Sequence, residues 1–189
     1  SNCTREAIEM TQFAEKSGAS AALLVCPYYN KPSQEGLFQH YKSIAKESSL
    51  PIMLYSIPGR SVIEISVETQ ARLHDECPNI CAMKEAGGDI ARVEEIRNTL
   101  PSSYEVLSGD DALTLPFMNK GAVGVVSVAS NIIPSQLSTL VQAILNGESD
   151  EAENINTECK TLFACLLGLD TNPIPIKEAM ALTGKITNE

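Results

Sequence analysis

Short, almost uninterrupted apolar runs alternate with amphipathic segments along this sequence, and that alternation restricts its fold more than any other feature. The runs AALLVCP (21–27), PIMLYSIP (51–58), NICAMKEA (79–86), SYEVLSGDD (103–111) and GAVGVVSVAS (121–130) have the length and composition of strands. Helical patterns precede and separate them. Thr4 to Lys16 repeats Ala7, Ile8 and Ala14 on one side, and Ser33 to Lys46 repeats Leu37, Tyr41, Ile44 and Ala45 behind a serine cap. Ser66 to Asp75 and Asp89 to Leu100 also begin at good N-caps, the latter with Val93, Ile96 and Leu100 at helical spacing. Strands joined through crossover helices run parallel and are covered on both faces, which is why their sequences stay apolar instead of alternating.

Two parallel architectures compete. A doubly wound open sheet is the simpler, but no strand end opens a GxGxxG loop. Tyr29, Lys84, Gly109 and Asp110 instead sit at or just past the C-terminal ends of different strands, the distribution of an α/β (β/α)8 TIM barrel, whose site is assembled from many strand ends. A whole barrel takes about 250 residues, whereas five strands are legible here behind an opening helix. The expectation is therefore a barrel whose N-terminal strands are missing from this chain. Residues 1–147 would supply strands 4–8, closed by a helix from Pro134 to Asn146 with Gly147 as its stop. Residues 148–189 would form a small, incomplete C-terminal helical domain, with helices from Ser149 to Leu167 and, after TNPIP, from about Ile176 to Leu182.

Charge and composition exclude several function classes. A net charge of -10 with no run of Lys or Arg repels nucleic acid and anionic membranes. No stretch approaches the roughly 18 consecutive apolar residues of a membrane span, and SNCTREAIEM has neither a basic leader nor an apolar signal core, so a cytoplasmic location is expected. Cys3, Cys26, Cys77, Cys81, Cys159 and Cys165 lack the close spacing of a disulfide scaffold and the CxxC pairs of a zinc site, and are expected to be reduced. His40 and His74 lie in helix-like segments rich in polar residues and are expected at the surface, leaving a metal little to bind.

ICAMKEAGG (80–88) places a lysine inside a run that otherwise reads as a buried strand. Strand alternation would put Ile80, Ala82 and Lys84 on one face and Cys81 and Met83 on the other. Desolvation there favours the neutral amine: a shift of about three units corresponds to roughly 4 kcal/mol against the charged form. A neutral amine is a nucleophile that can form a Schiff base with a ketone. The plainer reading is a lysine that snorkels to solvent or pairs with Glu85. YSIPGR adds Tyr55 at the end of the preceding strand and Arg60 in the loop beyond it. In a barrel these converge with Lys84, the phenol able to carry protons and the guanidinium to donate its planar fork to a carboxylate. Taken singly, Tyr55 could be packing and Arg60 a solvated loop charge.

CPYYNKPSQEGL, LYSIPGRS, MKEAGGD, LSGDD, GVVSVASN and NPIPIKEAM, in this order and spacing, resemble successive segments of the dihydrodipicolinate synthase family of class I pyruvate aldolases. The likeness runs over essentially the whole chain. Its most specific element is Tyr55-x-x-Pro58-x-Arg60 followed by the lysine strand; sister families such as N-acetylneuraminate lyase share the tyrosine and lysine but generally lack that arginine. The resemblance implies a lyase of lysine (diaminopimelate) biosynthesis in which Lys84 forms an imine with pyruvate, whose enamine attacks aspartate semialdehyde, with no other cofactor. It implies Tyr55 as proton carrier, Arg60 on the semialdehyde carboxylate, and backbone around Gly109, Asp110 and Val126 lining the pyruvate pocket. Tyr29 would reach into a neighbouring subunit's site, in a homotetramer built as a dimer of dimers. Asn2, Glu6 and Tyr28 match positions that hold an inhibiting lysine at the subunit interface.

Three departures stand beside the matches. The family's strand-two segment, whose hydroxyl links the two tyrosines, has no counterpart here, and the chain stops at LTGKITNE, short of a last helical segment. RSVIEI replaces the more usual Thr-Gly after the arginine, a change of backbone freedom expected to bear on the Arg60 loop. The competing functions are a related pyruvate-dependent lyase or aldolase acting on N-acetylneuraminate or a keto-deoxy sugar acid, and a non-catalytic truncated barrel.

Overall fold

The structure is a computed structural model and describes residues 1–187. The chain divides into two compact units, Ser1–Leu107 and a second beginning at Ser108.

In the first unit, helix α1 (Thr4–Lys16) leads into strand β1 (Ala22–Val25), helix α2 (Gln34–Lys46) and strand β2 (Ile52–Ser56). A single turn, α3 (Pro58–Ser61), and α4 (Val67–Glu76) precede β3 (Ile80–Glu85), followed by α5 (Ile90–Thr99) and β4 (Glu105–Ser108), in which the division falls. The strands lie in the order β1-β2-β3-β4, with β1–β2 and β2–β3 parallel. The expected N-caps are made: Ser33, Ser66 and Asp89 accept from the N–H groups of Gly36, Thr69 and Ala91 at 3.2, 3.2 and 2.9 Å.

The two sheet faces differ. Ile52, Leu54 and Ser56, with their partners Ile80, Met83 and Glu85, are fully buried, as are Leu37, Tyr41 and Ile44 of α2, Leu73 of α4 and Val93 and Ile96 of α5. On the opposite face Leu23 is 47% exposed, and Val25, Met53, Tyr55 and Lys84 are half-buried. The expectation that these strands are covered on both faces therefore holds for one.

The simple alternation expected for β3 also fails. Ile52 pairs with Ile80 but Met53 with Ala82, so Cys81 is the extra residue of a bulge. Register partners on neighbouring strands point to the same side, so Ile80 lies with Met83 and Glu85 on the buried face, while Ala82 and Lys84 lie with Met53 and Tyr55 on the other.

His40 corrects another expectation. It is only 6% exposed, its Nδ1 2.8 Å from the Thr4 hydroxyl, and burial holds its pKa down to about 4. His74 is half-buried, its Nδ1 2.8 Å from the Ile80 carbonyl, which requires the proton on that nitrogen, and its ring meets Tyr104 edge-on. Both histidines thus tie elements together rather than facing water.

The second unit follows β4 with a 3-10 turn (Asp111–Leu113), α6 (Thr114–Met118), the two-residue strand β5 (Gly124–Val125) and another 3-10 turn (Ala129–Asn131). Helices α7 (Pro134–Asn146), α8 (Ser149–Gly168) and α9 (Ile174–Leu182) complete it. Its core packs Leu115, Leu137, Leu140, Ala152, Phe163 and Leu166. Gly147 ends α7 at φ 76, the left-handed conformation in which glycine stops a helix. Neither α6 nor the two 3-10 turns has the length to show a helical period, and the run GAVGVVSVAS spends its second half in a turn rather than a strand.

All six cysteines are free thiols. Among the described residues no helix is long and apolar enough to cross a membrane. No cluster of three His, Cys, Asp or Glu side chains there could hold a metal ion.

Candidate active site

Tyr55 and Lys84 are direct register partners near the C-terminal ends of β2 and β3. Parallel pairing aims both side chains to the half-open face, and the Lys84 Nζ lies 4.1 Å from the centroid of the Tyr55 ring. The contact is face-on. A charged amine gains about 0.5–2 kcal/mol over such a ring, an effect opposite in sign to desolvation. Burial lowers the Lys84 pKa from its ordinary value and raises that of Tyr55, while the Arg60 charge draws the phenol back down. At neutral pH the site thus holds a protonated phenol beside an amine that gives up its proton more readily than a surface lysine.

Glu85, the next residue, points the other way and is completely buried. It does not pair with Lys84. Its carboxylate accepts the Gly87 N–H at 2.6 Å and the Arg92 Nε at 3.1 Å, and burial raises its pKa. Sequence reasoning weighed Glu85 only as a partner of the lysine. Two successive charges in an apolar strand must leave on opposite faces, and that signal was available in MKE.

Arg60 is exposed in the third of the four positions of α3, its backbone N–H donating to the Ile57 carbonyl at 2.9 Å. Val62 caps that turn at φ 68, ψ -18, a left-handed conformation that strains a β-branched residue. Its N–H donates to the Pro58 carbonyl at 2.9 Å, and the buried Ser61 hydroxyl lies 2.9 and 2.8 Å from the Ile57 and Ile63 carbonyls. Cap geometry thus holds the turn although the residue there is valine rather than glycine. Val62 is 58% exposed, so little packing is at stake. Val62→Gly should raise stability by about 1 kcal/mol, the relieved strain exceeding glycine's entropic penalty. Urea denaturation measures this, and a lower midpoint would mean that the valine methyls matter more than the backbone.

Tyr29 is 86% exposed, also at positive φ (73), and among the described residues makes no hydrogen bond or ring contact with Tyr55 or Lys84. The loop presents it outward. Asn2 and Tyr28 are brought together, the Asn2 amide donating to the Tyr28 carbonyl at 3.1 Å, while the exposed Glu6 accepts from the Ser1 hydroxyl at 2.7 Å. In the second unit, Gly109, Asp110 and Val126 gather around Ser108. The Val126 N–H donates to the Ser108 carbonyl at 2.8 Å, and the Ser108 hydroxyl to the Asp110 carbonyl at 2.7 Å. Burial raises the Asp110 pKa, although its side chain accepts the Ala112 N–H at 2.8 Å.

Residues 1–189 match the pattern of the Dihydrodipicolinate synthetase family throughout. A 4-hydroxy-tetrahydrodipicolinate synthase from Sulfurihydrogenibium sp. (strain YO3AOP1) is 50% identical over 185 residues, covering 98% of this chain and 63% of that protein. The structure of the 4-hydroxy-tetrahydrodipicolinate synthase from Methylacidiphilum fumariolicum SolV superposes with a TM-score of 0.98 at 50% identity, over 100% of this chain and 62% of that one. The synthase structure from Cyanidioschyzon merolae, solved with lysine bound, gives 0.93 at 42% identity over 97% and 62% of the two chains. The chain therefore spans less than two thirds of the length of these relatives.

Proposed function

This chain belongs to the dihydrodipicolinate synthetase family, and from that premise we propose that the full-length protein condenses pyruvate with aspartate semialdehyde through a Schiff base on Lys84. The observation that carries the reading is the pairing of Lys84 with Tyr55, the amine 4.1 Å from the ring and made easier to deprotonate by burial. The neutral amine adds to the pyruvate ketone and expels water, giving an imine. Loss of a C3 proton leaves an enamine, which forms a carbon–carbon bond to the aldehyde. The amino group of the semialdehyde portion then displaces the lysine as the product cyclises. The imine is the electron sink, so the chemistry runs on protein groups.

Tyr55 is the proton carrier in this scheme and Arg60 the partner of the incoming carboxylate. A guanidinium beside the phenol suits a small anionic aldehyde better than a polyhydroxylated sugar acid, which disfavours the lyase alternative. The exposure of Tyr29 fits a residue that completes the site of a neighbouring subunit in a homotetramer, a dimer of dimers. Asn2, Glu6 and Tyr28 offer an amide, a carboxylate and a ring to an effector amino acid, consistent with the lysine bound in the Cyanidioschyzon merolae structure. In the second unit, backbone at Gly109, Asp110 and Val126 would bind substrate. The half-open face of β1–β3 is the one that a (β/α)8 barrel turns to its interior. Residues 1–147 are accordingly assigned to such a barrel and 148–189 to a C-terminal helical domain. A cytoplasmic location fits a biosynthetic enzyme of this kind.

Borohydride in the presence of pyruvate tests the reading. The full-length protein should acquire one reduced three-carbon adduct at Lys84, located by peptide mass. An unmodified Lys84 in protein that turns over both substrates would overturn it.

A further inference from the structure

Behind the lysine strand lies a buried charge cluster that the condensation does not use. Arg92, in the first turn of α5, holds two carboxylates at once: its Nε is 3.1 Å from Glu85 and its Nη1 3.0 Å from Glu64. Its Nη2 donates to the Ile65 carbonyl at 2.9 Å. The Arg92 side chain is 11% exposed, Glu85 0% and Glu64 38%. A cluster so enclosed is costly in desolvation, and apolar residues of similar volume often serve stability as well. Its connections are more informative. Glu85 directly follows Lys84, and Ile63–Ile65 directly follow the turn that bears Arg60 and Val62. One guanidinium therefore bolts the end of β3, the Arg60 segment and α5 to each other.

The same corner leaves no slack. A Cβ at Gly87 would sit 2.8 Å from the Glu85 carboxylate and 3.0 Å from that of Glu64, so a larger residue there would press on both carboxylates that Arg92 holds. The Ala86 N–H donates to the Ser56 carbonyl at 2.9 Å, continuing the β2–β3 ladder past Tyr55 and Lys84.

We infer that Glu85 and Arg92 are positioning residues: together they fix the β3 terminus so that Lys84 leaves it over the Tyr55 ring, and through Glu64 and Ile65 they fix the loop of Arg60. Neither touches substrate. The inference rests on the imine chemistry proposed above, and its test separates the two. In the full-length protein, the rate constant and the final extent of pyruvate-dependent borohydride labelling at Lys84 are measured for the parent, Glu85→Gln, Arg92→Lys and Glu64→Gln. Loss of folded protein lowers the extent, whereas displacement of the amine lowers the rate constant of the molecules that remain folded.

Glu85→Gln keeps the shape but breaks the ion pair, and should slow labelling about 10–100-fold, the cost of an ångström-scale misplacement. Arg92→Lys keeps one charge and loses the fork, so it should slow labelling too, but less. Should Glu85→Gln fail to fold, Arg92→Lys decides. Glu64→Gln touches only the half-exposed arm; it should leave the labelling rate unchanged and raise KM for the aldehyde severalfold. Unaltered rate constants in the folded Glu85 and Arg92 variants would overturn the inference alone. An unlabelled Lys84 in the parent would remove the underlying reading with it.

Discussion

Lys84→Arg should abolish turnover, with a loss on the order of 10⁴-fold or more. Arginine preserves the positive charge and much of the stem that lies against Tyr55, so this substitution separates charge from nucleophilicity. A guanidinium stays protonated at any pH the protein survives and cannot become an imine nitrogen. Pyruvate-dependent borohydride labelling should vanish completely, because no second lysine among the described residues shares the Tyr55 contact. The parent protein makes the complementary prediction. Burial lowers the Lys84 pKa below its ordinary value of 10.5, so the neutral, reactive fraction grows as pH rises and reaches its midpoint at lower pH than for an ordinary lysine. The labelling rate should follow that curve, rising with pH and levelling off early. The sign for stability agrees: between the folded pKa and 10.5 the unfolded chain binds more protons, so Lys84 favours the folded state increasingly as pH rises through that window. Residual turnover by Lys84→Arg within tenfold of the parent would show that the lysine acts as a charge and not as a nucleophile.

What could be foreseen at this site divides along the range of the interactions involved. Strand and helix positions were legible because each depends on a local pattern: Ser33, Ser66 and Asp89 cap the helices their sequences announce, and Gly147 stops α7. The proximity of Tyr55 and Lys84 is legible once parallel pairing is inferred, since each lies next to last in its strand. The bulge at Cys81 was not, because it exists only in the register with β2. It nevertheless decides the surroundings of the lysine, moving Ile80 to the helix-covered face. His40 was misjudged for a similar reason: its helix is rich in polar residues, but the Thr4 hydroxyl that receives it comes from another helix. The Arg92 cluster needs three segments to meet, and nothing in their separate sequences states that they do.

Val62 shows the opposite case, a departure visible in the sequence whose consequence only the backbone reveals. Ser61-Val62 in place of the more usual Thr-Gly suggests a change in the Arg60 turn. Instead the turn keeps a left-handed cap and the valine bears the strain, held by the Ser61 hydroxyl and the Pro58 carbonyl. Arg92 reaches the same segment from the other side through Ile65. The loop that would meet the incoming carboxylate is thus fixed at both ends while its guanidinium remains exposed, an economical way to aim a charge without burying it.

The second large effect is expected at Tyr55. Tyr55→Phe retains the ring that faces the Lys84 amine at 4.1 Å and deletes only the hydroxyl. The ring is only half-buried and keeps its packing, so stability should stay near that of the parent. Imine formation has to pass a proton to the departing water, and the enamine must lose and regain protons at carbon, so the phenol enters several steps. Positioned general acids and bases contribute about 10²–10⁴-fold, and a loss in kcat of that size is expected. Its pH dependence should reveal the same group. Burial raises the phenol pKa while the Arg60 charge lowers it, with burial the larger influence, so the hydroxyl remains protonated and able to donate through the neutral range. Arg60→Met removes the opposing charge; it should move the alkaline limb of the parent profile to higher pH and, separately, raise KM for the aldehyde. A kcat for Tyr55→Phe within tenfold of the parent would mean that water carries these protons and that the ring face, not the hydroxyl, is what β2 supplies to the lysine.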